Sequence, residues 1–169
     1  MQSIRFSAVD APESVEVLIK AFDSIVDACH ASHGKETGGI LIGKYVERGM
    51  TAEIIEALPP SSDSAGTAST FHRGTDGISK ELGIRWTNTG SHYVGEWHFH
   101  PLGNGQPSAR DVNQMIDFAR EEDMQSPIPI MVIVFPSGLD LYDMRVFLFT
   151  QGGRMLELGK CAKVQEKSQ

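Results

Sequence analysis

The chain has 169 residues, of which 40% are hydrophobic and 22% charged, and a formal net charge of −7. That length buries the core of a single domain, and the acidic balance argues against a nucleic-acid surface, which needs clustered Lys and Arg. Cys29 and Cys161 stand far apart with no Cys-x-x-Cys pair, so they point to neither a zinc ribbon nor a disulfide framework but to buried or incidental thiols.

Along the chain, Met1 to Val9 lack the apolar core of a secretory signal. Asp10-x-x-Glu13 with Pro12 has the form of a helix start, and Val15, Leu18, Ile19, Phe22, Ile25, Val26 and Cys29 keep helical spacing up to Gly34. Residues 38–47 and 51–58 read as two strands joined by a turn at Arg48-Gly49. Residues 59–70, rich in Pro, Ser, Ala, Gly and Thr, read as a mobile surface loop and a substrate-side flap. Ile78, Leu82 and Trp86 predict a short helix, broken or bent by Gly83, before a strand at 92–99.

A helix over 108–122 follows, with its apolar face at Val112, Met115, Ile116 and Ala119. The run from Ile128 to Phe135 is a buried-looking strand, Leu139 to Phe149 an alternating one, and Arg154 to Leu158 a last short one. Pro129 interrupts the longest apolar stretch, which is far too short to span a membrane, so the expected address is cytoplasmic without membrane contact. The polar tail from Lys160 onward is expected to fray, and no internal repeat or second domain is visible.

The most informative stretch is Gly95-Glu96-Trp97-His98-Phe99-His100-Pro101, followed by Pro107-Ser108-Ala109-Arg110-Asp111. On an extended strand His98 and His100 point to one face, roughly 7 Å apart along the backbone. Asp111 falls in the first turn of the next helix. Two imidazoles and one carboxylate are the ligand set of a catalytic zinc, with three protein groups and an open fourth position. Ser108 and Asp111 also fit a capping box, which needs no metal; the two readings are compatible. Trp97 and Phe99 alternate away from the histidines and should pack in the core. His30 and His33 sit near a helix end and read as surface residues. His92, at the start of the same strand, is a possible substrate contact. Neither the His-x-Glu and Pro-Cys-x-x-Cys elements of zinc deaminases nor His-Glu-x-x-His occurs.

The order His-x-His, seven residues, Ser, two residues, Asp resembles the JAMM or MPN-plus metalloproteases, also called JAB domains, and Glu36-Thr37-Gly38-Gly39 before Ile40-Leu41-Ile42-Gly43 is similar to the strand that carries that family's catalytic base. The wording Glu-Trp-His resembles the bacterial members. The resemblance implies an α/β fold: a single JAB/MPN-like domain over residues 1–160, a mixed β-sheet flanked by α-helices, and a polar tail over 161–169. It implies one zinc held by His98, His100 and Asp111, Glu36 as the base that activates the attacking water, and Ser108 as the oxyanion donor. Glu96 shares the parity of the histidines and is read as a partner that orients a ligand imidazole, with a role as alternative base left open. The implied activity is hydrolysis of the peptide or isopeptide bond after the small-residue tail of a ubiquitin-like protein, in deconjugation or precursor processing. The implied partners are that protein and E1/E2-like activating and conjugating enzymes encoded nearby, including those of antiviral defence systems. Two other readings stay open: a RadC-type protein of DNA metabolism and a non-catalytic MPN scaffold.

Overall fold

Val15 and Val17 point to the same side as Phe6 and are fully buried, while Glu16 between them is not. This alternation makes residues 3–18 a hairpin: β1 (Ser3–Ala8) pairs antiparallel with β2 (Ala11–Leu18). The helix expected from Asp10 therefore begins only at Ile19 (α1, Ile19–Ala31). Val15, Leu18, Ile19 and Phe22 satisfy a helical period, but Val15 and Val17 equally satisfy a strand period. Partners distant in sequence decide between them, because β2 also pairs in parallel with β4 (Thr51–Ala57), Ser14 facing Thr51.

The computed structural model describes residues 2–121 and 126–161. β3 (Thr37–Val46) runs antiparallel to β4, joined by a 3-10 turn at Glu47–Gly49. The short strands β5 (Ala65–Gly66), within the segment read as a flap, and β6 (Phe71–His72), just past it, form a small separate sheet. α2 (Ile78–Thr89) passes unbroken through Gly83, where a Cβ would meet nothing within 4 Å, and stops at Gly90 in the left-handed conformation. β7 (His92–Phe99), α3 (Ala109–Arg120), β8 (Ile130–Gly138), β9 (Leu141–Phe149) and β10 (Met155–Lys160) complete the chain. The expected end of the helix at 122 and residues 162–169 of the expected tail lie outside the described residues. Lys160 itself pairs with Phe6, and the Cys161 N–H donates to Arg5 O at 2.8 Å.

The mixed sheet is present, and it closes on itself in the order β1-β10-β9-β8-β7-β3-β4-β2. Closure leaves no free edge among these eight strands. Inside lie Phe6, Val15, Val17, Leu41, Trp97, Phe99 and Val132, with Ile25 and Cys29 of α1 packed among them. Outside, Met115 and Ala119 of α3 cover Met131, Ile133, Phe147 and Phe149. Trp97 and Phe99 are 0% and 3% exposed, as the alternation predicts. No helix among the described residues is long and apolar enough to cross a membrane.

Candidate metal centre

β7 is central, paired antiparallel with β3 and in parallel with β8, so its backbone is fixed on both sides. Its outer face carries Glu96 and then His98, and His100 follows just past the strand, its N–H donating to Val134 O at 2.9 Å. The next loop turns back to Ser108, which caps α3. The Ser108 Oγ accepts from the Asp111 N–H at 3.2 Å, and the Ser108 N–H donates to Asp111 Oδ2 at 2.7 Å. The capping box and the ligand cluster are thus one construction: the cap aims the second carboxylate oxygen at the histidines.

His98, His100 and Asp111 offer ligand atoms that lie within 4.8 Å of one another. His98 Nδ1 is 2.9 Å from Asp111 Oδ1, and His100 Nε2 is 3.5 Å from Asp111 Oδ2. His100 Nδ1 lies 3.1 Å from the carbonyl of Gln106. A carbonyl only accepts, so Nδ1 bears a proton, and in the neutral tautomer Nε2 is the nitrogen with the lone pair. His98 is 5% exposed, and each of its nitrogens faces a carboxylate, with Nε2 3.3 Å from Glu96 Oε2. A neutral imidazole has one N–H for these two acceptors, so one carboxylate faces a lone pair unless a cation stands there. Burial lowers the His98 pKa, yet hydrogen bonds and charge from Asp111 and Glu96 outweigh it and bring it up to about 9. Burial likewise raises Asp111, but His98 and the Ser108 contacts hold it down to about 2. The cluster demands positive charge, and its donors fit zinc.

Glu36 sits just before β3, its N–H donating to Thr67 O at 2.7 Å. Half-buried, it has a pKa raised by desolvation, while His100, Asp111 and His98 are near enough to act on its charge. Ser108 is exposed. Glu96, in contrast, is 0% exposed and surrounded: Arg73 Nε is 2.8 Å from Oε1, and Gln114 Nε2 donates to Oε2 at 3.1 Å. The structure thus brings together Glu36, Glu96, His98, His100, Ser108 and Asp111. It does not bring His92 there. That ring begins β7, about 20 Å of strand away from His98, and packs against Tyr45 and Trp86. His30 and His33 are exposed, as expected.

A family model described as prokaryotic homologs of the JAB domain matches residues 19–149. The chain belongs to this JAB family. The match starts at α1 and ends at β9, so the hairpin β1–β2 and β10, which close the barrel, lie outside it. Over 158 residues this JAB domain is 35% identical to a "CD-NTase/cGAS isopeptidase" of Enterobacter hormaechei, covering 94% of this chain and 87% of the relative. A protein of Desulfitobacterium hafniense solved in solution shares the fold at a TM-score of 0.57 and 17% identity, over 83% of this chain and 87% of that one.

Sequence reasoning did not find the supports of the JAB site. Phe71 of β6 packs its ring against His98, centroids 5.6 Å apart. Arg73 and Gln114 reach Glu96 from the loop after β6 and from α3. Gly38 had a signal in the Gly-Gly pair, and its reason is steric: a Cβ there would lie 2.5 Å from Trp97 O and 2.8 Å from His98 Cδ2. Gly38→Ala must push either the β7 backbone or the ligand ring. The expected result is a metal affinity lowered about 10-fold or more, the scale of lost ligand orientation, at nearly unchanged circular dichroism. Wild-type affinity by chelator competition in that variant would show that the contact is not needed.

Proposed function

We propose that this JAB domain is a zinc-dependent isopeptidase that hydrolyses the amide bond after the C-terminal tail of a ubiquitin-like protein. The observation that carries the reading is the convergence of two imidazoles and a capped carboxylate on one cluster, with a half-buried glutamate and an exposed serine beside it. His98, His100 and Asp111 would hold the ion. A zinc ion held there would supply Lewis-acid polarisation of the scissile carbonyl and would lower the pKa of a water to about 7.

Glu36 takes the proton of that water as the new C–O bond forms, and it gives the proton to the amine when the C–N bond breaks. Its raised pKa suits both transfers, because a base must also be a competent acid for the leaving group. Ser108 has its Oγ fixed by the Asp111 N–H, so its own O–H is free to donate to the developing oxyanion. Glu96 is not the base in this reading: it has no solvent access, and its oxygens face Arg73, Gln114 and His98. A non-catalytic scaffold would not require the ligands, the base and the serine to be kept together.

The relative of Enterobacter hormaechei extends the proposal to the substrate. By its name that protein is an isopeptidase of the CD-NTase/cGAS kind, and we assign this chain the same class of conjugate, within a bacterial defence system that includes activating and conjugating enzymes. The test is a ubiquitin-like protein from a neighbouring gene, fused through its Gly-Gly tail to a reporter and also conjugated to the CD-NTase. Release of both, abolished by a chelator and restored by zinc, is expected. Zinc-loaded protein that cleaves neither would sink the reading.

A further inference from the structure

Behind His98 three buried polar atoms lack an aligned hydrogen-bond partner among the described residues: Arg73 Nε, Glu96 Oε1 and His98 Nε2. They are nonetheless close to one another's groups, Arg73 Nε at 2.8 Å from Glu96 Oε1 and His98 Nε2 at 3.3 Å from Glu96 Oε2, within ion-pair range but off hydrogen-bond alignment. A carboxylate at 0% exposure is strongly unfavourable unless partnered, so this placement calls for a reason. Gln114 Nε2 donates to the same Oε2 from α3, which opposes rotation of the carboxylate. The guanidinium carbon of Arg73 stands 6.0 Å from the centre of the Phe118 ring.

We propose that Arg73 is a positioning residue of the metal centre: from the loop between β6 and α2 it fixes Glu96, whose carboxylate, packed behind the His98 ring, holds that imidazole in place. The inference rests on the zinc reading above. The Nε2 side of His98 is closed by a fully buried carboxylate, whereas Nδ1 faces Asp111, whose other oxygen approaches His100 Nε2. A carboxylate fixed behind a ligand imidazole holds the orientation of its ring. Arginine suits the task because it stays charged when buried and offers several N–H groups in a rigid plane.

Arg73 has a rival role. It also lines a cleft of about 390 Å³, together with Ile40, Leu58, Pro59 and Ile78, where it is in reach of a bound ligand. The experiment separates the two on the full-length chain, by zinc affinity in competition with a chromophoric chelator, by the visible spectrum of the cobalt(II) form, and by kcat and KM on the fusion substrate. Arg73→Met is expected to weaken zinc binding by about 10–100-fold, to shift the cobalt bands, and to lower kcat at unchanged KM. Arg73→Lys recovers part of the loss. The double variant Arg73→Met/Glu96→Leu leaves neither partner of that pair as an uncompensated buried charge, and it is expected to stay as weak as Arg73→Met because the carboxylate that holds the His98 ring is still missing. Should Arg73→Met not fold, Arg73→Lys and the double variant decide the matter by the same measurements. Wild-type affinity and cobalt spectrum in Arg73→Met, or full recovery in the double variant, would overturn the proposal. So would a raised KM at unchanged zinc affinity, which would assign Arg73 to the cleft. A wild-type chain that binds no zinc would overturn the metal reading itself, and this proposal with it.

Discussion

Glu36→Gln is expected to bind one zinc per chain with wild-type affinity and to lose turnover by about 10²–10⁴-fold, the usual contribution of a positioned general base. The amide keeps the shape and the half-buried place of the carboxylate, and its backbone bond to Thr67 O is untouched, so the loss reports proton transfer alone. The pH profile of the wild-type enzyme adds a signature. Desolvation raises Glu36 above the ordinary glutamate value of 4.5, and a base works only when deprotonated. The acidic limb of kcat/KM should therefore fall at a higher pH than an exposed glutamate would give, with activity lost as pH drops through that raised pKa. The limb should be absent from the residual rate of Glu36→Gln. Full activity in Glu36→Gln, with loss in Glu96→Gln, would reverse the roles of the two carboxylates.

Asp111→Ala should cost more than one property at once. It removes a ligand, the partner of His98 Nδ1 and half of the capping box, because Asp111 Oδ2 accepts the Ser108 N–H. Zinc should be absent after gel filtration and turnover should fall to background. In chelator, α3 should also be weakened, with a stability loss of about 1 kcal/mol, typical of a lost cap. Asp111→Asn keeps an acceptor for the cap, so its metal-free form should melt close to the wild type while it too loses zinc. His98→Ala should lose zinc with the cap intact. The acid dependence of the metal-free chain follows the same residue. Asp111 lies at about 2 against an ordinary 3.8, so its stabilisation is full above pH 3.8 and is lost as pH falls towards 2. Zinc retained at wild-type stoichiometry in Asp111→Ala would remove Asp111 from the ligand set.

His98, His100, Ser108 and Asp111 were legible because each is placed by short-range rules. Strand parity, a Gly- and Pro-bearing loop and a capping box fix their relative positions before any tertiary contact is made. Glu36 was legible only through the resemblance of Glu36-Thr37-Gly38-Gly39 to a family strand, since nothing local ties residue 36 to residue 98. The first hairpin was misread because a segment with both helical and strand periods is decided by the strands that pair with it, here β1 and β4. His92 was weighed as a substrate contact because it lies on the metal strand, but the strand's length carries it to the far end.

The amino-acid sequence by itself determined that two imidazoles and a capped carboxylate meet, because that depends on residues within one strand, one loop and one helical turn. Only the tertiary structure decided the surroundings of each carboxylate. Glu36 and Glu96 are the same residue type, and both stand near the same histidines. One is half-exposed beside the His98–His100–Asp111 cluster, and the other is sealed among Arg73, Gln114 and His98. That difference is one of desolvation and of charged neighbours, which the packing of distant segments sets and no local spacing encodes.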